Sequence, residues 1–114
     1  MGRRGERVAP PPGDGEWDLR FGDRAAAEGW EKLCAAAPGP ALTAWTALRT
    51  NPRGTSARQH PLKGDLGSRS VGGRVLEQWQ FEVTGAGRVW YCIDDDRRVV
   101  HLTLATVGHP AATD

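Results

Sequence analysis

Apolar and polar positions alternate with period two over three consecutive stretches in the C-terminal half of the chain. In Val75-Leu-Glu-Gln-Trp-Gln-Phe-Glu-Val83, Val75, Trp79, Phe81 and Val83 share one parity, and Gln78, Gln80 and Glu82 take the other. In Arg88-Val-Trp-Tyr-Cys-Ile-Asp94, Val89, Tyr91 and Ile93 alternate with Arg88, Trp90, Cys92 and Asp94, and Val99 to Val107 continues in the same manner. Alternation rich in β-branched and aromatic residues predicts strands with one buried face. Thr84-Gly-Ala-Gly87 and Asp94-Asp-Asp-Arg97 join them, with residues that tolerate positive φ or bond to their own backbone. The result is an antiparallel meander of three strands.

The preceding residues supply a cover for that sheet. Glu16 to Phe21 alternates and predicts a strand with Trp17, Leu19 and Phe21 on one side. Asp23 is placed to cap a helix running to Ala37, whose apolar stripe is Ala26, Trp30, Leu33 and Ala37. Pro38-Gly39-Pro40 ends it and opens a second helix, with Pro40 at the first helical position. The second stripe is Leu42, Trp45 and Leu48, with Ala41 and Ala44, and Asn51-Pro52 stops it. Residues 52–73 predict a long loop with little apolar content, anchored by Leu62 and Leu66.

The predicted architecture is α+β, in the order β-α-α-β-β-β. It has a four-stranded, mostly antiparallel sheet with a helical hairpin packed on one face. The first strand pairs at the sheet edge or its centre. Residues 16–110 form this single domain. Residues 1–15, with three arginines and three consecutive prolines, predict a disordered tail, and residues 111–114 a frayed end. No apolar run approaches the length of a membrane span, so the chain reads as soluble and cytoplasmic. Cys34 and Cys92 stand far apart without a CxxC spacing and read as two buried free thiols.

Net charge is +1, but residues 49–88 carry +4, residues 1–48 carry −1 and residues 89–114 carry −2. The positive charge is concentrated in the middle third, which suits a phosphate-bearing partner. Asp94-Asp-Asp96 reads as a hairpin turn rather than a metal cluster, since adjacent carboxylates do not converge on one ion without further ligands. The sequence calls for no metal and no cofactor.

Pro61-Leu62-Lys63-Gly64 leads into the sheet, and Gly87-Arg88-Val89-Trp90-Tyr91 opens a strand that closes on Ile93-Asp94. The last strand ends in Gly108-His109. With the β-α-α-β-β-β order, these motifs resemble the RelE/ParE superfamily of bacterial toxins across about residues 16–110. The resemblance implies a toxin of a toxin–antitoxin system, neutralised by a cognate antitoxin. A RelE-like member acts on the ribosome as an mRNA endoribonuclease, by metal-independent attack of the ribose 2′-OH. A ParE-like member shares the fold without the nuclease residues and binds DNA gyrase or another protein.

Cleavage of that kind needs a base, an acid and cations at the phosphate. Arg88 matches the motif arginine and is assigned phosphate or transition-state stabilisation. Its parity directs it away from the apolar face. Lys63 matches the motif lysine and His109 the basic residue after the last strand, giving the catalytic set Arg88, His109 and Lys63. Arg58, His60 and Arg74 are assigned to phosphates. Trp90 is the base-stacking candidate, and Gln78 and Gln80 lie on the polar face, open to RNA or water. Trp79 is read as core and His101 as structural. Two positions depart from the family pattern. Thr84 stands where many members carry another arginine, and Pro110 follows His109 with no later tyrosine. These departures leave the ParE-like reading open.

Overall fold

A computed structural model describes residues 2–108. The elements are β1 (Asp18–Phe21), α1 (Arg24–Ala36), α2 (Pro38–Thr50), β2 (Gln59–Pro61), β3 (Ser68–Val71), β4 (Arg74–Glu82), β5 (Arg88–Asp94) and β6 (Val99–Thr106), with a 3-10 turn at Gly64–Gly67 before β3. The fold is α+β, with β-α-α followed by strands. The sheet is mixed and six-stranded rather than four-stranded, in the order β1-β6-β5-β4-β2, and β3 also pairs with β4. The meander β4-β5-β6 is antiparallel as predicted, and β1 lies at the edge, parallel to β6.

The two additional strands come from the segment expected to be loop. Gln59–Pro61 pairs antiparallel with Phe81–Trp79, and Ser68–Val71 pairs with Glu77–Arg74. Neither carries an apolar alternation long enough to announce a strand. They are held by the backbone edge of β4, not by their own side chains. Gly72 and Gly73, at φ 59° and 80°, form the tight β3–β4 turn. Two consecutive glycines between extended residues are a two-residue hairpin signal that could have revealed β3.

Both helix ends follow local chemistry. The Asp23 carboxylate accepts the Ala26 N–H at 2.7 Å, and Pro38 rather than Pro40 takes the first position of α2, with Pro40 still in the first turn, where no intrahelical N–H bond is lost. α1 buries Ala26, Ala27, Trp30 and Leu33. α2 buries Ala41, Ala44, Leu48 and Arg49, whereas Leu42 is 60% exposed and Trp45 half-buried. The second stripe is therefore rotated from the expected one, with the small Ala41 and Ala44 turned inward where helix and sheet approach closely. These residues meet Leu19, Phe21, Trp79, Phe81, Val83, Val89, Tyr91, Ile93, Val100 and Leu102 in one core. Trp79 stacks on Tyr91 at 6.5 Å within it. Val75, on the same parity, is exposed, and Leu76 is buried instead.

β5 is buried at every position, so the second sheet face is not a solvated one. Gln78 donates to the Leu66 carbonyl at 2.9 Å and accepts from Thr103, and Gln80 accepts the Trp90 indole N–H at 2.8 Å. Both glutamines are buried and committed to these partners, so they are not free for RNA. Both thiols are free. Cys34 is half-buried, while burial pushes Cys92 up to about 12, an inert thiol at neutral pH.

Within the segment expected as a disordered tail, residues 5–8 lie along the outer edge of β1. The Gly5 and Val8 N–H groups donate to the Phe21 and Leu19 carbonyls, and the Glu6 carbonyl accepts the Phe21 N–H at 2.9 Å. Val8 is 4% exposed, within the core. A buried arginine that composition did not single out, Arg49, clasps this strap. Its guanidinium donates to the Pro10 and Pro11 carbonyls and to the Glu16 carboxylate, and lies 4.0 Å over the Trp45 ring. Composition missed the strap because its few apolar atoms are supplemented by backbone pairing and by this single cation.

The Gly13 N–H and then the Arg49 guanidinium hold the Glu16 carboxyl below its ordinary value of 4.5. A depressed carboxyl contributes stability above its unfolded pKa and loses it as pH falls through the folded one. Acidification below about 4.5 is therefore expected to weaken the Glu16–Arg49 clasp on the strap. Following the Val8 amide by NMR from pH 7 to pH 3 checks this, with roughly those limits set by carboxylate titration. Glu16→Gln should remove this part of the transition, and an unchanged profile in that variant would contradict the assignment.

Candidate functional site

Strand pairing gathers several of the sequence-predicted groups at one end of the second sheet face. The Gln59 side chain reaches the Tyr91 hydroxyl at 3.0 Å on the helix-covered face, so His60, the next residue of β2, takes the opposite side. His60 stands opposite Gln80, which stands opposite Trp90 and then Leu104. The Arg58 carbonyl accepts the Glu82 N–H at 2.7 Å, and Glu82 stands opposite Arg88, which stands opposite Thr106. Two adjacent rows thus hold Glu82 and Arg88 in one, with the Arg58 backbone beside Glu82, and His60, Gln80 and Trp90 in the other.

The environment of each group differs from the sequence expectation. Arg88 does not leave the core for solvent and is 6% exposed. Its Nη1 donates to the carbonyls of Thr84 (3.0 Å), Gly85 (3.3 Å) and Gly87 (3.0 Å). Its Nη2 lies 3.7 Å from the Glu82 carboxylate, whose side chain is 32% exposed. The guanidinium is therefore the internal cap of the β4–β5 hairpin. Thr84, which replaces the family arginine, builds the same loop: its hydroxyl accepts the Ala86 and Gly87 N–H groups at 3.3 and 2.7 Å. Parity correctly sets the face of Arg88, but parity cannot reveal three carbonyls folding over it.

Trp90 is 5% exposed with its indole N–H committed to Gln80, so it packs rather than offering a stacking surface. Arg74 is separated from the others by the length of β4, about 26 Å at strand rise. It is occupied by Asp94 at 3.0 Å and Asp96 at 2.6 Å. Its role is to fasten the turn that follows β5, and Arg53 holds Asp95 of the same turn at 2.7 Å. Arg58 and Lys63 are exposed and His60 half-buried. Among the described residues, Arg58 and Lys63 have no ion pair. His109 lies outside the described residues.

His101 is half-buried in mid-strand. Burial, with Arg20, Arg97 and Arg74, lowers its pKa against the opposing Asp94, so the imidazole is neutral at physiological pH. It does not share the rows of Glu82 and His60. The residue that sequence reasoning passed over is Glu82. Its signal was present in the hairpin itself, because closing Glu82-Val-Thr-Gly-Ala-Gly-Arg88 as a loop sets its two ends face to face.

No family model matches the chain, and neither a curated protein nor a solved structure matches it. The chain stands as a compact α+β domain with two N-terminal helices packed on a mixed sheet. Among the described residues no helix is long and apolar enough to cross a membrane.

Proposed function

We propose that this protein is a RelE-like toxin of the RelE/ParE superfamily, a cytoplasmic, ribosome-dependent mRNA endoribonuclease neutralised by a cognate antitoxin. The observation that carries the reading is the register that sets His60, Glu82 and Arg88 at one end of one sheet face, with the Arg58 backbone paired to Glu82. Exposed Arg58 and Lys63 supply cations for the mRNA backbone, and histidine supplies a group that titrates near neutral pH. His60 occupies that face, and His109 follows β6 in the chain. The ribosome provides substrate positioning, so a few side chains suffice.

A ParE-like reading, in which the fold acts by occupying gyrase or another protein, is favoured by one specific observation. The motif arginine Arg88 is engaged by three carbonyls and nearly inaccessible.

Induction of the full-length protein in a bacterium, with mapping of mRNA 5′ ends, separates the two. The endonuclease reading predicts new ends within translated frames, lost in His60→Ala or His109→Ala. Growth arrest without new ends supports the binder, and neither arrest nor cuts rejects both.

A further inference from the structure

We infer that Glu82 is the general base of this site and that Arg88 is the residue that positions it. The inference rests on the endonuclease reading above. The two side chains are direct cross-strand partners at the β4–β5 hairpin, with Arg88 Nη2 3.7 Å from Glu82 Oε1. Their exposures divide the labour: the Arg88 side chain is 8% exposed and the Glu82 side chain 32%. A guanidinium fixed by three backbone carbonyls does not extend to a phosphate. It does hold a charge in one place, beside a carboxylate that solvent and substrate reach.

The neighbours of Glu82 complete an acid–base arrangement. The Arg58 backbone flanks it on the β2 side of β4, and Arg58 is exposed and without an ion pair among the described residues. His60 lies one diagonal step away on β2, a separation of about 7–8 Å between such positions in an antiparallel pair. A base and an acid at that spacing can bracket a phosphodiester, as in-line displacement requires, with the attacking and leaving oxygens on opposite sides of phosphorus. Among the described residues of β2, β4, β5 and β6, Glu82 is the carboxylate at this end of the face, and the other, Asp94, is buried against Arg74 at the far end.

The step balances without a metal, oxidant or water. The Glu82 carboxylate takes the 2′-OH proton while the 2′-oxygen forms a bond to the adjacent phosphorus. The bond from phosphorus to the 5′-oxygen breaks, and that oxygen takes a proton from the His60 imidazolium. Arg58 offsets charge on the non-bridging oxygens. The products are a 2′,3′-cyclic phosphate and a 5′-hydroxyl, so the substrate class is ribonucleic acid with a free 2′-OH at the cut.

The test uses full-length protein, ribosomes programmed with one defined mRNA, and single-turnover cleavage from about pH 5 to pH 9, a range that brackets an ordinary imidazole near 6.5. Glu82→Gln is expected to slow cleavage by about 10²-fold or more, the scale of losing a general base, with thermal melting unchanged. Glu82→His, which supplies a different proton acceptor, should regain activity over Glu82→Gln, with a rate that falls below about pH 6.5. Glu82→Asp, as a second variant, keeps a carboxylate and should cleave more slowly than wild type but faster than Glu82→Gln. Cleavage by Glu82→Gln within about threefold of wild type would overturn the assignment of Glu82 while leaving the endonuclease reading intact. Wild-type protein that fails to cut on the ribosome would overturn both.

Discussion

Gly29→Ala is expected to destabilise this protein by about 3 kcal/mol, although the same change in an isolated helix interior is worth up to about 1 kcal/mol in the opposite direction. Gly29 sits in the middle of α1 where the helix crosses β6. A Cβ built there would lie 1.9 Å from the Ala105 carbonyl oxygen and 2.8 Å from its carbon. Both are backbone atoms of a paired strand, so no rotamer change relieves the overlap. The helix must instead lift off β6 and loosen the packing of Trp30 and Leu33, which are 7% and 1% exposed. Thermal or denaturant unfolding checks the value, and Gly29→Val should be worse than Gly29→Ala. A Gly29→Ala protein as stable as wild type would mean that α1 does not approach β6 as closely as described.

Arg88→Ala is the second large effect, and here the structure reverses the sequence expectation. As a solvated strand-end residue, Arg88 would be removable at little cost. As a guanidinium 6% exposed and bonded to the Thr84, Gly85 and Gly87 carbonyls, it is expected to contribute about 2–4 kcal/mol, since its loss strands several acceptors and leaves a cavity. At about 4 °C or more per kcal/mol for a domain of this size, melting should fall by roughly 10 °C. Amide exchange in residues 84–87 should rise more than in β6. Arg88→Ala melting within about 0.5 kcal/mol of wild type would contradict the capping role. Lost cleavage in that variant is consequently ambiguous unless its fold is measured alongside, which is why the conservative change at Glu82 is the sharper probe of chemistry.

The contrast between these two residues shows where legibility stops. Gly29 reads in sequence as a mild weakness inside a helix, because nothing local announces the Ala105 carbonyl. Arg88 was placed on the correct face by alternation, yet its burial comes from the backbone of its own loop. The helical stripe of α1 was legible because Trp30 and Leu33 are large and correctly spaced. That of α2 was misjudged by favouring Leu42 over Ala41, when close approach selects the smaller side chain. Of the candidate residues, alternation sets the faces of Arg88 and Trp90, but it does not reveal that Trp90 is buried against Gln80 or that Arg74 lies at the far end of β4, paired with Asp94 and Asp96.

The sequence by itself determined the three long strands, the two helices with the Asp23 cap and the Asn51 stop, and the β-α-α order, because period, capping and turn chemistry act over a few residues. Tertiary structure alone decided that Gln59–Pro61 and Ser68–Val71 become strands, that residues 5–8 fold onto β1, and that the polar face of β4 and β5 is enclosed. Those outcomes depend on backbone edges and on single cations such as Arg49 meeting partners more than thirty residues away. Local pattern carries no record of such meetings.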